Sequence, residues 1–130
     1  MNTANSASDT PRTVLVVDDF ADTRLLLRTW FERRGFRVIE AENGMQAIDR
    51  AETEAPDLII MDVQMPQLDG LSATRRIRSV KQLGSVPIVA VSAYGAEQFR
   101  DLALAAGCNE YVSTPFEPAT LEGIVRALVH

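Results

Sequence analysis

The chain alternates short apolar runs with longer amphipathic segments from Thr13 to its end. Five runs stand out: Val14 to Val17, Val38-Ile39, Leu58 to Met61, Val86 to Val91, and Tyr111-Val112. Three of them are continuous instead of alternating, which is the pattern of strands buried on both faces of a parallel sheet. Between the runs, Asp22 to Arg34 places Leu26, Leu27, Trp30 and Phe31 on one stripe, with Arg24, Arg28 and Arg33 mostly elsewhere, and Gly35 follows as a helix stop. Gly44 to Ala55 carries Ala47, Ile48 and Ala51 at helical spacing before Pro56 closes the segment. Leu71 to Val80, Ala96 to Ala106 (stopped by Gly107) and Pro118 to Val129 supply three further helices. Each strand-to-strand connection has room for a helix and is too long for a hairpin, so the pattern predicts an α/β sandwich around a parallel sheet. Residues 1–12, MNTANSASDTPR, lack an apolar anchor and are expected to form a flexible tail ahead of one domain spanning 13–130.

Composition narrows the class. A chain of 130 residues, 46% hydrophobic and 24% charged, is the size and make-up of one globular domain that can bury a core unaided. A net charge of −5 opposes binding to a nucleic-acid backbone. The one cysteine, Cys108, excludes an internal disulfide and reads as a small packing residue. No apolar run approaches the roughly 20 residues that span a bilayer, and residues 1–12 hold no signal-peptide core. A cytoplasmic protein without membrane contact is expected.

The chemistry-bearing residues gather at strand ends. Asp18 and Asp19 follow the first run, Asp62 the third and Ser92 the fourth, while Thr114 closes the fifth before Pro115. Ligands of open parallel sheets bind at the carboxyl edge, where strand order reverses. In the flavodoxin-like order 2-1-3-4-5, with helices on both faces, the first and third strands are neighbours and their three carboxylates converge. A single strand-end Asp commonly caps a helix, but an adjacent pair joined by a third exceeds that role. At about 4 Å and an effective dielectric near 20, each like-charged pair costs about 4 kcal/mol. Either a proton is shared or a cation sits among them. An oxygen-only donor set selects Mg²⁺. Asp62 is placed to attack phosphorus, with the Ser92 hydroxyl placed to hold phosphoryl oxygens.

Four motifs then carry a resemblance that covers residues 13–129: Val-Leu-Val-Val-Asp18-Asp19, Asp57-Leu-Ile-Ile-Met-Asp62-Val-Gln64-Met65-Pro66-Gln-Leu-Asp-Gly70, Val-Ala-Val-Ser92-Ala93, and Tyr111-Val-Ser-Thr114-Pro115-Phe116. Together they resemble the receiver domain of two-component response regulators, of the stand-alone, chemotaxis type. The resemblance implies that Asp62 accepts a phosphoryl group from a phosphohistidine on a sensor histidine kinase or a histidine phosphotransfer protein. It implies that Asp19, Asp62 and the Gln64 backbone carbonyl ligate Mg²⁺, with Asp18 acting mainly through a bound water. Ser92 matches the hydroxyl that binds the phosphoryl group, and Gln64, Ala93 and Tyr94 control access to the pocket. Tyr111 matches the aromatic switch residue. The Thr114-Pro115 bond matches a position that is cis in the family. With no output domain in the chain, the expected output is contact with another protein, and no enzymatic activity is expected.

One position departs from the resemblance. The family pattern has Lys where Thr114 stands, so the ammonium that meets the phosphoryl oxygens is replaced by a short neutral hydroxyl. A pseudo-receiver scaffold that binds partners independently of phosphate is therefore the alternative. A phosphohydrolase with an Asp nucleophile is disfavoured, because Gln64 stands where its acid/base would be, and no phosphate loop for a flavin follows the first run. His130 is terminal and expected to play no part. Arg24, Arg28, Arg33 and Arg34 are expected on a solvated helix face, and Met45, Met61 and Met65 in packing.

Overall fold

A computed structural model describes residues 11–65, 69–93, 98–115 and 117–129. Residues 1–10 of the tail expected over 1–12, together with Tyr94, Phe116 and His130, lie outside the described residues. The elements run β1 (Thr13–Val17), α1 (Ala21–Glu32), β2 (Arg37–Ala41), α2 (Gly44–Glu54), β3 (Leu58–Asp62), α3 (Gly70–Ser79), a 3-10 turn (Lys81–Leu83), β4 (Ile88–Ser92), α4 (Phe99–Ala106), β5 (Glu110–Ser113) and α5 (Pro118–Leu128). All strand pairs are parallel, in the order β2-β1-β3-β4-β5. The predicted flavodoxin-like arrangement is therefore the observed one. Register places Val17 opposite Met61, and Asp62 opposite Val91, which aligns the strand ends that carry the polar residues.

Alternation along each buried strand feeds two separate cores. Leu15, Val17, Ile59, Met61, Ile88 and Ala90 face the side covered by α2, α3 and α4. Val14, Val16, Leu58, Ile60, Val89 and Val91 face α1 and α5, where Leu27, Phe31, Leu121 and Val125 meet them. The three-helix side presents Ala47, Ala51, Ala73, Ala103 and Ala106, small residues that let those helices sit close to the sheet. Phe31 is fully buried and packs edge-on against both Trp30 and Phe36.

Local signals set the helix ends. The Asn43 side chain accepts from the Gln46 N–H at 2.9 Å, and Asp69 accepts from the Ser72 N–H at 2.9 Å, so each caps the helix that follows. Gly35, at φ 88°, turns the chain after α1 as its position predicted.

Three expectations need correction. Leu26 is not on the buried stripe of α1 but 71% exposed. Successive helical residues are about 100° apart, so with Leu27 and Phe31 pointing into the core, Leu26 is rotated outward. Met45 is likewise exposed, against the packing role expected of it. Arg24 is not a solvated side chain. It is 12% exposed, its Nε donates to Glu40 at 2.9 Å, and its Nη1 donates to the Asp18 carbonyl at 2.7 Å. Arg28 also pairs with Glu40, so two arginines tie α1 to the end of β2.

Candidate functional site

The carboxyl edge of the sheet opens into a cleft of about 740 Å³. Asp18, Asp19, Asp62, Gln64, Ser92, Ala93 and Thr114 all line it, so the described residues expected at the site converge there, with Tyr111 as the exception. Carboxylate oxygens of Asp18, Asp19 and Asp62 lie within 4.8 Å of one another.

Each side chain is aimed by local backbone contacts. Asp18 leaves β1 and its Oδ1 accepts from the Phe20 N–H at 2.9 Å, an Asx-type turn that leads into α1. The Asp18 N–H donates to the Ala41 carbonyl, which keeps this residue on the β1–β2 ladder while its side chain enters the cleft. Asp62 ends β3 and its Oδ1 accepts from the Gln64 N–H at 3.0 Å. The residue after the following loop is constrained equally closely. A Cβ on Gly70 would fall 2.1 Å from the Asp62 carbonyl oxygen, so only glycine lets α3 start directly against the end of β3.

Electrostatics follow from crowding. Burial pushes the Asp62 carboxyl up to about 7, with the charges of Asp18 and Asp19 adding to the shift and the Gln64 N–H opposing it. Burial also raises Asp18, against the Phe20 N–H that stabilises its charged form. Without a cation, the cluster therefore holds a proton near neutral pH, one of the two resolutions expected from the sequence. The other also fits the site: three oxygen donors, with neither sulfur nor imidazole among them, suit a hard divalent ion.

Ser92 closes β4 and is 1% exposed. Its Oγ donates to the Gln64 Oε1 at 3.3 Å, and the Ala93 N–H donates to the same oxygen at 3.1 Å. Thr114 follows β5, and the Thr114-Pro115 peptide is cis. Its hydroxyl donates to the Ser92 carbonyl at 3.0 Å and is thereby occupied on the backbone of β4. Tyr111 is buried on β5 and packs in the core beneath α2, α3 and α4, with the Arg100 guanidinium 5.6 Å from its ring centre. Tyr94, expected at the pocket mouth, is not among the described residues.

Besides the carboxylates, the cleft has an apolar lining of Phe20, Leu26, Leu27, Trp30, Pro115, Pro118 and Leu121. This lining escaped the sequence reading. The available signal was Phe20 and Leu26, apolar residues flanking a helix stripe already filled by Leu27 and Phe31.

Comparison with known proteins decides the family. Residues 14–126 match the response regulator receiver domain. The chain belongs to that family. Its receiver domain is 34% identical over 117 residues to the chemotaxis protein CheY of Bacillus subtilis, covering 88% of this chain and 96% of that protein. It is 38% identical over 116 residues to the alkaline phosphatase synthesis transcriptional regulatory protein PhoP of the same organism, covering 89% of this chain and 48% of that one. Among solved structures, the receiver domain of a sensor histidine kinase from Pseudomonas aeruginosa, described with a magnesium ion coordinated in its active-site cleft, superposes with a TM-score of 0.84 at 34% identity, over 92% of this chain and 98% of that one. Among the described residues of this receiver domain, no helix is long and apolar enough to cross a membrane.

Proposed function

We propose that this receiver domain accepts a phosphoryl group on Asp62 from a phosphohistidine of a sensor histidine kinase or histidine phosphotransfer protein, and signals by protein contact. The observation that carries the reading is the convergence, in one cleft, of three carboxylates with a buried hydroxyl and a backbone N–H. An Asp62 carboxylate oxygen attacks phosphorus, the phosphorus–nitrogen bond of the phosphoimidazole breaks, and the released imidazole takes up a proton. In-line attack needs the ionised carboxylate, which crowding disfavours in the metal-free cluster.

Asp19, Asp62 and the Gln64 carbonyl would hold Mg²⁺ here, with Asp18 reached through a water. The ion would neutralise the carboxylates and the transferring phosphoryl oxygens. Among the described residues, the Ser92 hydroxyl and Ala93 N–H are donors available to a phosphoryl oxygen, and the small Ala93 side chain leaves the approach open. Tyr111, buried on β5 with the Arg100 guanidinium of α4 beside its ring, is the switch residue of this reading. The proposed unit is 13–130, working in the cytoplasm with a partner protein as its output and with neither nucleic acid nor membrane as ligand.

The second reading, a scaffold whose partner binding ignores phosphate, draws support from Thr114, whose hydroxyl is spent on the Ser92 carbonyl. Intact-mass analysis after incubation with acetyl phosphate and Mg²⁺ separates the two. The proposal expects a phosphoryl mass increment that Asp62→Asn abolishes. An unshifted wild-type mass supports the scaffold.

A further inference from the structure

We propose that Arg24 is a positioning residue for the Mg²⁺ site: its guanidinium, anchored on β2, grips the Asp18 carbonyl and presets the peptide that carries both Asp18 and Asp19. The inference rests on the reading of the carboxylate cluster as a Mg²⁺ site. It adds a residue outside the ligand set that decides how well the ligands are aimed.

Two of the three carboxylates hang on the single peptide between Asp18 and Asp19. Rotation of that peptide swings both side chains, and their mutual repulsion favours spreading them apart. The structure holds this piece of backbone at three points. The Asp18 N–H donates to the Ala41 carbonyl at 3.1 Å, the Phe20 N–H donates to Asp18 Oδ1 at 2.9 Å, and Arg24 Nη1 donates to the Asp18 carbonyl oxygen at 2.7 Å. The third bond acts on the carbonyl itself, the group that sets the plane of the peptide leading to Asp19.

Arg24 can do this because it is fixed at both ends. Its backbone N–H donates to the Phe20 carbonyl at 3.1 Å and closes the first turn of α1. Its Nε donates to Glu40 of β2 at 2.9 Å, and the Glu42 carboxylate stands 3.9 Å from Nη2. A guanidinium presents its donors in a rigid planar fork, so seating Nε on Glu40 points Nη1 at the Asp18 carbonyl. The side chain is largely withdrawn from water, where such a bond is stronger than at the surface. Charge and positioning predict opposite signs. A cation behind the site repels Mg²⁺, so a purely electrostatic Arg24 would weaken metal binding, whereas a positioning Arg24 strengthens it.

Arg28 supplies the control. It lies one turn further along α1 and also pairs with Glu40, but its other partners are Glu32 and the Val38 carbonyl, away from Asp18.

The test is calorimetric titration of metal-free protein with Mg²⁺, together with the carbonyl-carbon NMR resonance of Asp18 before metal is added. Arg24→Met keeps an unbranched stem and removes the fork. Its Mg²⁺ affinity is expected to fall about tenfold, the lower end of what losing a group that orients a metal ligand costs. Its Asp18 carbonyl resonance is expected to move upfield as the hydrogen bond is lost. Arg24→Lys retains the charge and the fold but cannot seat on both partners at once, and its affinity is expected to fall about threefold or more. Arg28→Met is expected to leave both readouts as in wild type. Equal or tighter Mg²⁺ binding in Arg24→Met or Arg24→Lys overturns the proposal. So does an equal loss in Arg28→Met, which would assign the effect to α1 as a whole. If the wild-type protein itself does not bind Mg²⁺, the metal-site reading falls and the positioning role falls with it.

Discussion

Thr114 gives both of its donors to one acceptor: its N–H and its hydroxyl reach the carbonyl oxygen of Ser92 at 2.7 and 3.0 Å. The side chain at this position therefore fastens β5 to β4 through the backbone and offers nothing to a phosphoryl oxygen in the cleft. Phosphorylation of Asp62 should pull on Ser92 and leave β5, with Tyr111 on it, largely where it is.

Thr114→Lys restores an ammonium at this point. A hydrogen bond to a charged group contributes about 1.5–3 kcal/mol, which corresponds to about a ten- to hundredfold bias between states. The variant should sharpen the dependence of partner affinity on beryllofluoride by that factor. The measurement is partner affinity with and without beryllofluoride in both proteins. A large gain already present in wild type and unaltered by the substitution would mean that another group couples the site to β5.

Mg²⁺ binding should depend on Asp19. Asp19→Asn removes a ligand and also one of three mutually repelling charges. Mg²⁺ affinity should fall about tenfold or more, equivalent to about 1.4 kcal/mol, while metal-free stability holds or rises. Calorimetric titration and thermal melting measure the two effects. Equal Mg²⁺ affinity in both proteins would remove Asp19 from the ligand set.

Metal-free stability should fall as pH rises toward and through 7. The Asp62 carboxyl has an ordinary value of 3.8 in the unfolded chain and about 7 in the fold, so the folded state binds the extra proton between those values. That contribution is fully present below about pH 4 and is lost as pH passes about 7. Each pKa unit corresponds to about 1.4 kcal/mol. Because Asp62 is partly open to solvent, screening reduces the expected loss to about 1–2 kcal/mol. Denaturation in EDTA at pH 5 and pH 8 should show the decline in wild type and a much flatter profile in Asp62→Asn. Matching profiles in the two proteins would place the proton elsewhere.

Phe31 anchors the α1 face without taking part in the chemistry. It is fully buried between Trp30 and Phe36, and Phe31→Ala should cost about 3–5 kcal/mol. Urea denaturation of the Mg²⁺-loaded and metal-free forms should show the same loss in both. A loss below about 1 kcal/mol would mean that the neighbouring helix refills the space.

The sheet was legible because its strands are continuous apolar runs, a pattern that leaves few alternatives once each connection is long enough for a helix. Asp18, Asp19, Asp62 and Ser92 were legible for a related reason: each is the first polar residue after such a run, and strand ends share one edge. Side-chain direction was less accessible. Leu26 and Leu27 are adjacent and equally apolar, and only the angular position of α1 against the sheet decides that Leu27 is buried and Leu26 exposed. Arg24 read as a surface charge because its partners, Glu40 and the Asp18 carbonyl, come from a different element and from the backbone. The resemblance put Gln64 and Ala93 at one pocket, but residue spacing alone does not show that the Gln64 side chain reaches the Ser92 hydroxyl on β4.

The absent side chain at Gly70 gives the site a mechanical property. Between most strand ends and the helices beside them, side chains act as padding, and small movements are absorbed by their rearrangement. Here the start of α3 meets the Asp62 peptide backbone with no such padding, because even a methyl group would overlap the carbonyl oxygen. A displacement of that peptide is passed to α3 at nearly full amplitude, as through a joint without play. A spectroscopic label on the exposed Arg75, near the middle of that helix, would then act as a pointer for movements too small to see at the carboxylate itself.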